Sequence, residues 1–359
     1  VSSIAGTGST ITVTQGATRD LTLSGTSNYA VSSGTTGAIT NTSTGTLSVT
    51  SSANAQTVTS SAVTTVNGAA LAATLTVAGT GAFTVSGVGT VASAVVTESA
   101  TATGALTIST VDVAASTITQ VAGATGAFVL NADGTGGTAA VDLLAVSSHA
   151  SQTINMTTTS SVTINANTTA TAITINATDA AAHSYVNSST TASVDTFTGG
   201  SVVDTVTLGL GADVFTSGGG ADVFNVTMAT HTGAALGFAA STAVPTTALT
   251  TTGMDVITGA STGMVIDLTG LTTVANAIVR NGGTMGAATA GDIALIVGNY
   301  ASGTNQFTPS LAGSDTLLVA DNNGTTAAGG YNGIVLVGYV DALQNDTLGT
   351  GGEFTIVAG

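Results

Sequence analysis

V-D-T-F-T-G-G-S-V-V-D-T-V-T-L-G-L-G-A-D-V-F-T-S-G-G-G-A-D-V-F-N-V, residues 194–226, carries four aspartates at an unbroken spacing of nine: Asp195, Asp204, Asp213 and Asp222. Two positions after each stands an apolar residue, Phe197, Val206, Phe215 and Phe224. Glycine fills most of the intervals: Gly218, Gly219 and Gly220 before Asp222, Gly209 and Gly211 before Asp213, Gly199 and Gly200 before Asp204, and none before Asp195. Single Asp-Gly turns punctuate many β-rich chains. Four in register, each with an apolar residue locked at plus two, point instead to a repeating unit.

The register matches the calcium-binding nonapeptide G-G-x-G-x-D-x-U-x, and the stretch resembles the repeats-in-toxin family. The resemblance implies six-residue turns and three-residue strands, with successive turns on opposite edges of a two-sheet roll. Equivalent edge positions then recur every 18 residues, so Asp195 is expected to stack near Asp213 and Asp204 near Asp222. A Ca2+ ion between two such turns would take carboxylates from the aspartates and carbonyl oxygens from the turns at Gly199, Gly200, Gly209, Gly211, Gly218 and Gly220, the hard oxygen set this cation prefers. Glycine suits these turns because a Cβ would obstruct their backbone conformation. Asp255, in G-M-D-V-I-T-G from Gly253 to Gly259, reads as one more turn.

Weaker likenesses continue to the end of the chain. Ile266-Asp267-Leu268-Thr269-Gly270-Leu271 resembles the segment that closes such repeat regions, and Asp315–Gly324 followed by Ile334–Gly338 resembles the family's terminal strand, acidic loop, strand unit. In that family the tail holds an uncleaved type I secretion signal, and Glu353–Gly359 has the acidic-then-apolar character of one.

Composition bounds the partners. Against 18 acidic residues stand two cations, Arg19 and Arg280, giving a formal charge of −16. Nucleic acid and anionic lipid, which need Lys and Arg, are excluded as natural partners. Divalent cations are favoured as counter-ions, and assembly is expected to improve once metal neutralises carboxylates. With 43% hydrophobic and 6% charged residues the 359-residue chain lies outside the disordered class. Its apolar residues are mostly Ala and Val, with 4% aromatics, which suits thin repetitive packing better than one large core. No run approaches the roughly 20 apolar residues of a membrane span, so no membrane insertion is expected. The absence of cysteine is compatible with a bacterial surface protein that uses calcium in place of disulfides. The missing initial Met predicts a processed chain or a fragment.

Along the chain, short alternating β-branched segments recur, such as I-T-V-T at Ile11, L-T-L-S at Leu21 and F-T-V-S at Phe83, the signature of strands. Only the Ala-rich pieces at Asp179–His183 and Ala235–Ala240 hint at helix, and both are too short to stand alone. From about residue 111 an apolar residue followed by Asn or Asp repeats, as in Leu130-Asn131, Val141-Asp142, Ile154-Asn155, Ile164-Asn165, Ile175-Asn176 and Val186-Asn187. This interval predicts stacked solenoid rungs with a polar ladder; a sandwich of regular hairpins would give similar spacing. The expected architecture is all-β, a parallel β-solenoid or β-roll with embedded calcium-binding turns and a C-terminal β-rich segment. The expected regions are 1–110, β-rich; 111–193, solenoid rungs; 194–228, calcium-binding roll; and 229–359, the C-terminal region with its signal-like tail.

Catalysis is not expected. His149, His183 and His231 have no companion at metal-ligand or catalytic spacing, no H-E-x-x-H is present, and no G-x-S-x-G elbow stands out. The whole looks like the calcium-dependent surface-layer proteins of Gram-negative bacteria: extracellular, on the cell surface, self-associating in a lattice or filament, and held to cell-surface polysaccharide through a region outside this chain. The alternative is an adhesin or ice-binding module of a larger secreted protein. For ice the Thr-rich strands matter, although T-I-N and T-V-T triplets give no unbroken T-x-T column.

Overall fold

Alternating β-branched and small polar residues make strands throughout, and no helix occurs among the described residues. The computed structural model describes the chain apart from residues 1, 17–18, 34–35, 52, 92–93, 111–115, 122, 134–138, 145–148, 166–170, 188–191, 227–247, 252, 269–277, 281–292, 322–330, 341–344, 350–351 and 358–359. His231, the Ala235–Ala240 stretch, residues 269–271 of the closing segment and residues 322–324 of the acidic loop therefore lie outside the described residues. Two units form: Val1–Asn176 with Asn187–Thr190, and Ala177–Val186 with Thr191–Gly359.

The first unit is a parallel solenoid of nine rungs among the described residues. One sheet stacks β1 (Ser2–Gly6), β3 (Leu21–Gly25), β5 (Ile39–Asn41), β7 (Gln56–Ser60), β9 (Thr74–Ala78), β11 (Val95–Glu98), β13 (Ser116–Thr119), β15 (Ala139–Leu144) and β17 (Ser160–Asn165). The other stacks β2 (Ile11–Gln15), β4 (Tyr29–Ser33), β6 (Leu47–Thr50), β8 (Thr64–Asn67), β10 (Phe83–Val88), β12 (Leu106–Thr110), β14 (Ala127–Asp133), β16 (Ser151–Thr157) and β18 (Ile173–Asn176). Parallel neighbours need a crossover, and here each crossover is the strand of the opposite sheet. The pairing excludes the hairpin sandwich.

Period two then sets which side chains face inward. Leu23, Ile39, Val58, Val85, Ile108, Leu130 and Ile154 point inward and are buried, each worth about 1.5–3 kcal/mol when fully removed from water. Their outward neighbours on the second sheet form columns. One runs Thr12, Ala30, Ser48, Thr65, Thr84, Thr107, Val129, Thr153, Thr174, with a hydroxyl at seven of nine positions. Beside it Asn176 Nδ2 donates to Asn155 Oδ1 at 2.9 Å, Asn155 Nδ2 to Asn131 Oδ1 at 2.8 Å, and Asn131 Nδ2 to Ser109 Oγ at 3.2 Å. This is the expected polar ladder, at twice the expected interval. Ile154, Ile164 and Ile175 fall on β16, β17 and β18, so consecutive members alternate between sheets and one rung consumes two intervals.

The second unit is a shorter roll closed by an antiparallel meander. One sheet stacks β19 (His183–Asn187), β21 (Thr205–Thr207), β23 (Val223–Asn225) and β26 (Val265–Asp267) in parallel, with β33 (Glu353–Thr355) and β32 (Thr347–Leu348) added antiparallel. The other stacks β20 (Thr196–Thr198), β22 (Val214–Thr216), β25 (Asp255–Thr258) and β31 (Tyr331–Val337) in parallel. Antiparallel pairing follows through β30 (Asp315–Asp321), β28 (Ile293–Ala301), β29 (Gln306–Pro309) and β24 (Leu249–Thr250), while β27 (Ile278–Arg280) lies parallel to β28. Met254, Ala294, Ile296, Phe307, Leu317, Val319 and Val335 form the buried cluster under this meander. The two strands of that expected unit are β30 and β31, which pair antiparallel. Asp179–His183, weighed as helix, holds none.

Candidate metal centre

Three-residue strands separated by six-residue turns put the apolar plus-two residues inside the roll. Phe197 stacks on Phe215 with ring centroids 5.6 Å apart, and Phe215 meets Phe224 at 5.3 Å. This aromatic spine fixes the register, and the register stacks the aspartates. Thr196 pairs with Val214 and Thr205 with Val223, so Asp195 lies over Asp213 and Asp204 over Asp222, as expected from the 18-residue period. Asp255 joins the first stack, because Val256 pairs with Val214. One edge thus carries Asp195, Asp213 and Asp255; the other carries His183, Asp204 and Asp222 and ends at Met264.

All five aspartates are at most 2% exposed. Four of the carboxylates reach back one turn to a main-chain N–H. Asp213 Oδ1 accepts from Asp195 N at 2.7 Å, and Asp255 Oδ1 from Asp213 N at 2.9 Å. Across the roll, Asp222 Oδ1 accepts from Asp204 N and Asp204 Oδ1 from His183 N, both at 2.9 Å. The second oxygens differ. Ser217 Oγ donates to Asp222 Oδ2 at 2.5 Å and Gly200 N to Asp204 Oδ2 at 3.3 Å, whereas Asp213 Oδ2 is buried without a partner.

The glycines let neighbouring turns approach. A Cβ on Gly200 would fall 1.8 Å from the Asp179 carbonyl oxygen, one on Gly218 2.2 Å from that of Gly200, and one on Gly199 2.7 Å from Asp204 Oδ2. Gly211, whose Cβ would meet the Ser193 carbonyl oxygen at 1.6 Å, has φ +152°, and Gly220 has φ +87°, both in the region that favours glycine. Gly209 lies in the same turn as Gly211. Carbonyl oxygens and carboxylates therefore share the narrow edges of the roll.

Stacked carboxylates at one strand spacing, about 4.8 Å, repel one another. Burial first, then the charges of Asp255 and Asp195, push the Asp213 carboxyl up to about 9 against the bond from Asp195 N–H. Burial also raises Asp204 and Asp222, and the charge of Asp222 adds to the rise at Asp204. Without positive charge Asp213 holds a proton that a carboxylate ordinarily loses. Among the described residues no three His, Asp or Glu side chains converge on one point, so a cation here has to draw on turn carbonyls as well. An orphaned carboxylate oxygen, packed carbonyls and an all-oxygen donor set fit a hard divalent cation.

No family model, curated protein or solved structure matches this chain.

Sequence spacing missed several partners. His183 occupies the aspartate position one rung before Asp204, and its Nε2 lies 2.8 Å from Asp179 Oδ1. In the first unit His149 Nε2 lies 2.8 Å from Glu98 Oε2, both side chains fully buried, and His149 Nδ1 is 2.7 Å from the Gly126 carbonyl oxygen. Spacing along the chain offered neither histidine a companion for metal or catalysis; His149 meets Glu98 through solenoid stacking, and His183 meets Asp179 four residues before it. For Ser217 the one available signal was its place at the first position of a turn.

Proposed function

We propose that the chain is a structural, self-assembling extracellular protein whose second unit folds around calcium, of the kind that forms bacterial surface layers or filaments after type I secretion. The observation that carries the reading is the double ladder of buried aspartates, in which Asp213 keeps an unpartnered oxygen although the chain has almost no cations of its own. Calcium would be held by Asp195, Asp204, Asp213, Asp222 and Asp255 with the turn carbonyls, and it would replace the proton that burial otherwise forces on Asp213. Binding to the folded form alone stabilises it by about 1.4 kcal/mol per site at roughly tenfold excess over Kd. Extracellular calcium modules bind at about 10⁻⁴–10⁻³ M, so millimolar calcium suffices. No catalytic role is assigned. Circular dichroism of the whole chain, recorded with calcium and then with chelator, tests the reading; identical spectra overturn it. Electron microscopy of the same samples tests assembly, with ordered sheets or filaments expected only with calcium.

A second reading is favoured by one observation, the in-register hydroxyl column from Thr12 to Thr174, which holds no charged or aromatic residue. χ1-stiff threonines at one strand spacing offer a regular array for ordered water, as an ice-binding or adhesive module requires. A chain that stays monomeric in calcium yet reshapes growing ice crystals would favour this second reading.

A further inference from the structure

The first rung of the first unit lacks the cover that the next rung receives. Among the described residues β1 pairs only with β3 and β2 only with β4, so each leaves one row of N–H and C=O groups open. The inward positions register the gap. Ile4 and Val13 are half-buried, whereas their partners one rung on, Leu23 and Val31, are 0% and 2% exposed. A cavity of about 410 Å³ opens beside them, lined among others by Ser2, Ile4, Val13, Gln15, Arg19 and Leu21. Repeat proteins ordinarily close such an end with a polar cap, and exposed edge strands ordinarily carry charge, proline or a bulge. S-S-I-A-G and I-T-V-T-Q hold neither charge nor proline, and both pair without a break in register.

Charge selects the occupant. Arg19 and Asp20 are the only charged residues before Glu98, so the formal charge of −16 lies wholly from Glu98 onward. Glu98 ends β11, the sixth strand of its sheet, and five strand spacings from β1 amount to about 24 Å. That is well beyond the roughly 8 Å at which physiological salt screens exposed charges. Two acidic chains can therefore meet at this end of the unit without repulsion. The end is also self-complementary. β1 and β2 have five residues each, and the middle one, Ile4 or Val13, points inward. A twofold axis normal to the sheets then pairs each strand antiparallel with its own copy: Ile4 opposes its counterpart, as does Val13, while Ser2 opposes Gly6 and Ile11 opposes Gln15. Inward positions meet inward positions, and the two open cavities join into one interior.

We propose that the open first rung is a homodimer interface, at which two copies of the chain stack end to end through antiparallel β1–β1 and β2–β2 pairing. The proposal deepens the self-assembling reading above and rests on it for the choice of a second copy. Such an isologous contact closes at two chains. It uses backbone pairing and apolar burial with no carboxylate, so it forms without calcium, and the dimer is the unit that calcium joins into larger assemblies.

The test is sedimentation equilibrium of the full chain in chelator, where a dimer is expected. Ile4→Lys and Val13→Lys each set two like charges face to face and should weaken the dimer at least about tenfold. Their circular dichroism should match the parent's, because a lysine at this half-buried end reaches water. A second variant decides the matter should either lysine disturb folding. The parent has no cysteine, and directly opposed residues hold their Cβ atoms about 4.5–5.5 Å apart, so mild oxidation should link two copies of Val13→Cys. Ser48→Cys, exposed in the middle of β6, should link far fewer. Open-ended oligomers in chelator would mean a head-to-tail contact, and Val13→Cys chains that link no faster than Ser48→Cys would mean another surface; either result overturns the inference. A parent that responds to calcium but stays monomeric in chelator overturns it alone. Circular dichroism indifferent to chelator ends the calcium reading and leaves the dimer standing.

Discussion

Asp213 accepts an N–H from the turn before it and gives its own to Asp255 in the turn after it, and its second oxygen is the unpartnered one. Asp195 ends the described ladder on that edge. Replacing Asp213 with Ala is therefore expected to lower calcium affinity at least tenfold more than Asp195→Ala, about 1.4 kcal/mol, as read by titration calorimetry; equal small losses for both would show the register to be accidental. His149 makes a separate prediction. Burial pulls its pKa down, but contact with Glu98, the charge of Glu98 and the Gly126 carbonyl outweigh that, and it ends above 6.5. The native state then binds the proton more tightly than the unfolded chain. The stabilisation is complete below the unfolded value of about 6.5 and is lost as pH rises through the folded value. His149→Gln, which breaks a buried pair, should cost about 3 kcal/mol in acid and clearly less at about pH 9. Thermal melts of the parent and the variant that differ by the same amount at both pH values would contradict this.

At the scale of strands and turns, close approach decides what is tolerated. Gly200→Ala drives a Cβ into the Asp179 carbonyl oxygen and should destabilise the second unit by about 1–3 kcal/mol or more. Gly303→Ala meets nothing within 4 Å and should be neutral in the same melting experiment. Most of the architecture was legible at this scale. The nine-residue register announced the two edges and their 18-residue stacking, and period-two alternation announced the strands. Spacing could not announce that Ile154 and Ile164 belong to different sheets, because a half-rung in a solenoid and a hairpin in a sandwich consume similar lengths of chain. Nor could it pair Glu98 with His149, or Asp213 with Asp255, since the intervening residues are irregular and only the stacked backbone measures those distances.

For the molecule as a whole, a charge of −16 with two arginines leaves few ordinary salt bridges for subunit contacts. Association is left to strand edges, small apolar faces and shared ions. Sheets or filaments formed at millimolar calcium are expected to dissolve in chelator and to survive moderate sodium chloride, because buried metal bridges are screened less than surface pairs; turbidity and electron microscopy would register the opposite outcome directly. Stacking in register also makes the first unit a ruler with a fixed graduation. Val58 pairs with Ile39, one rung on. Excising residues 39–57 sets Val58 into the place Ile39 held, keeps every remaining pairing, and shortens the unit by one strand spacing, about 4.8 Å. Small-angle scattering should record a shorter but otherwise intact particle, whereas excising half as many residues should abolish folding of that unit. Dimensions of such a protein change by whole graduations, so length can vary between copies of the design without any contact having to be redesigned.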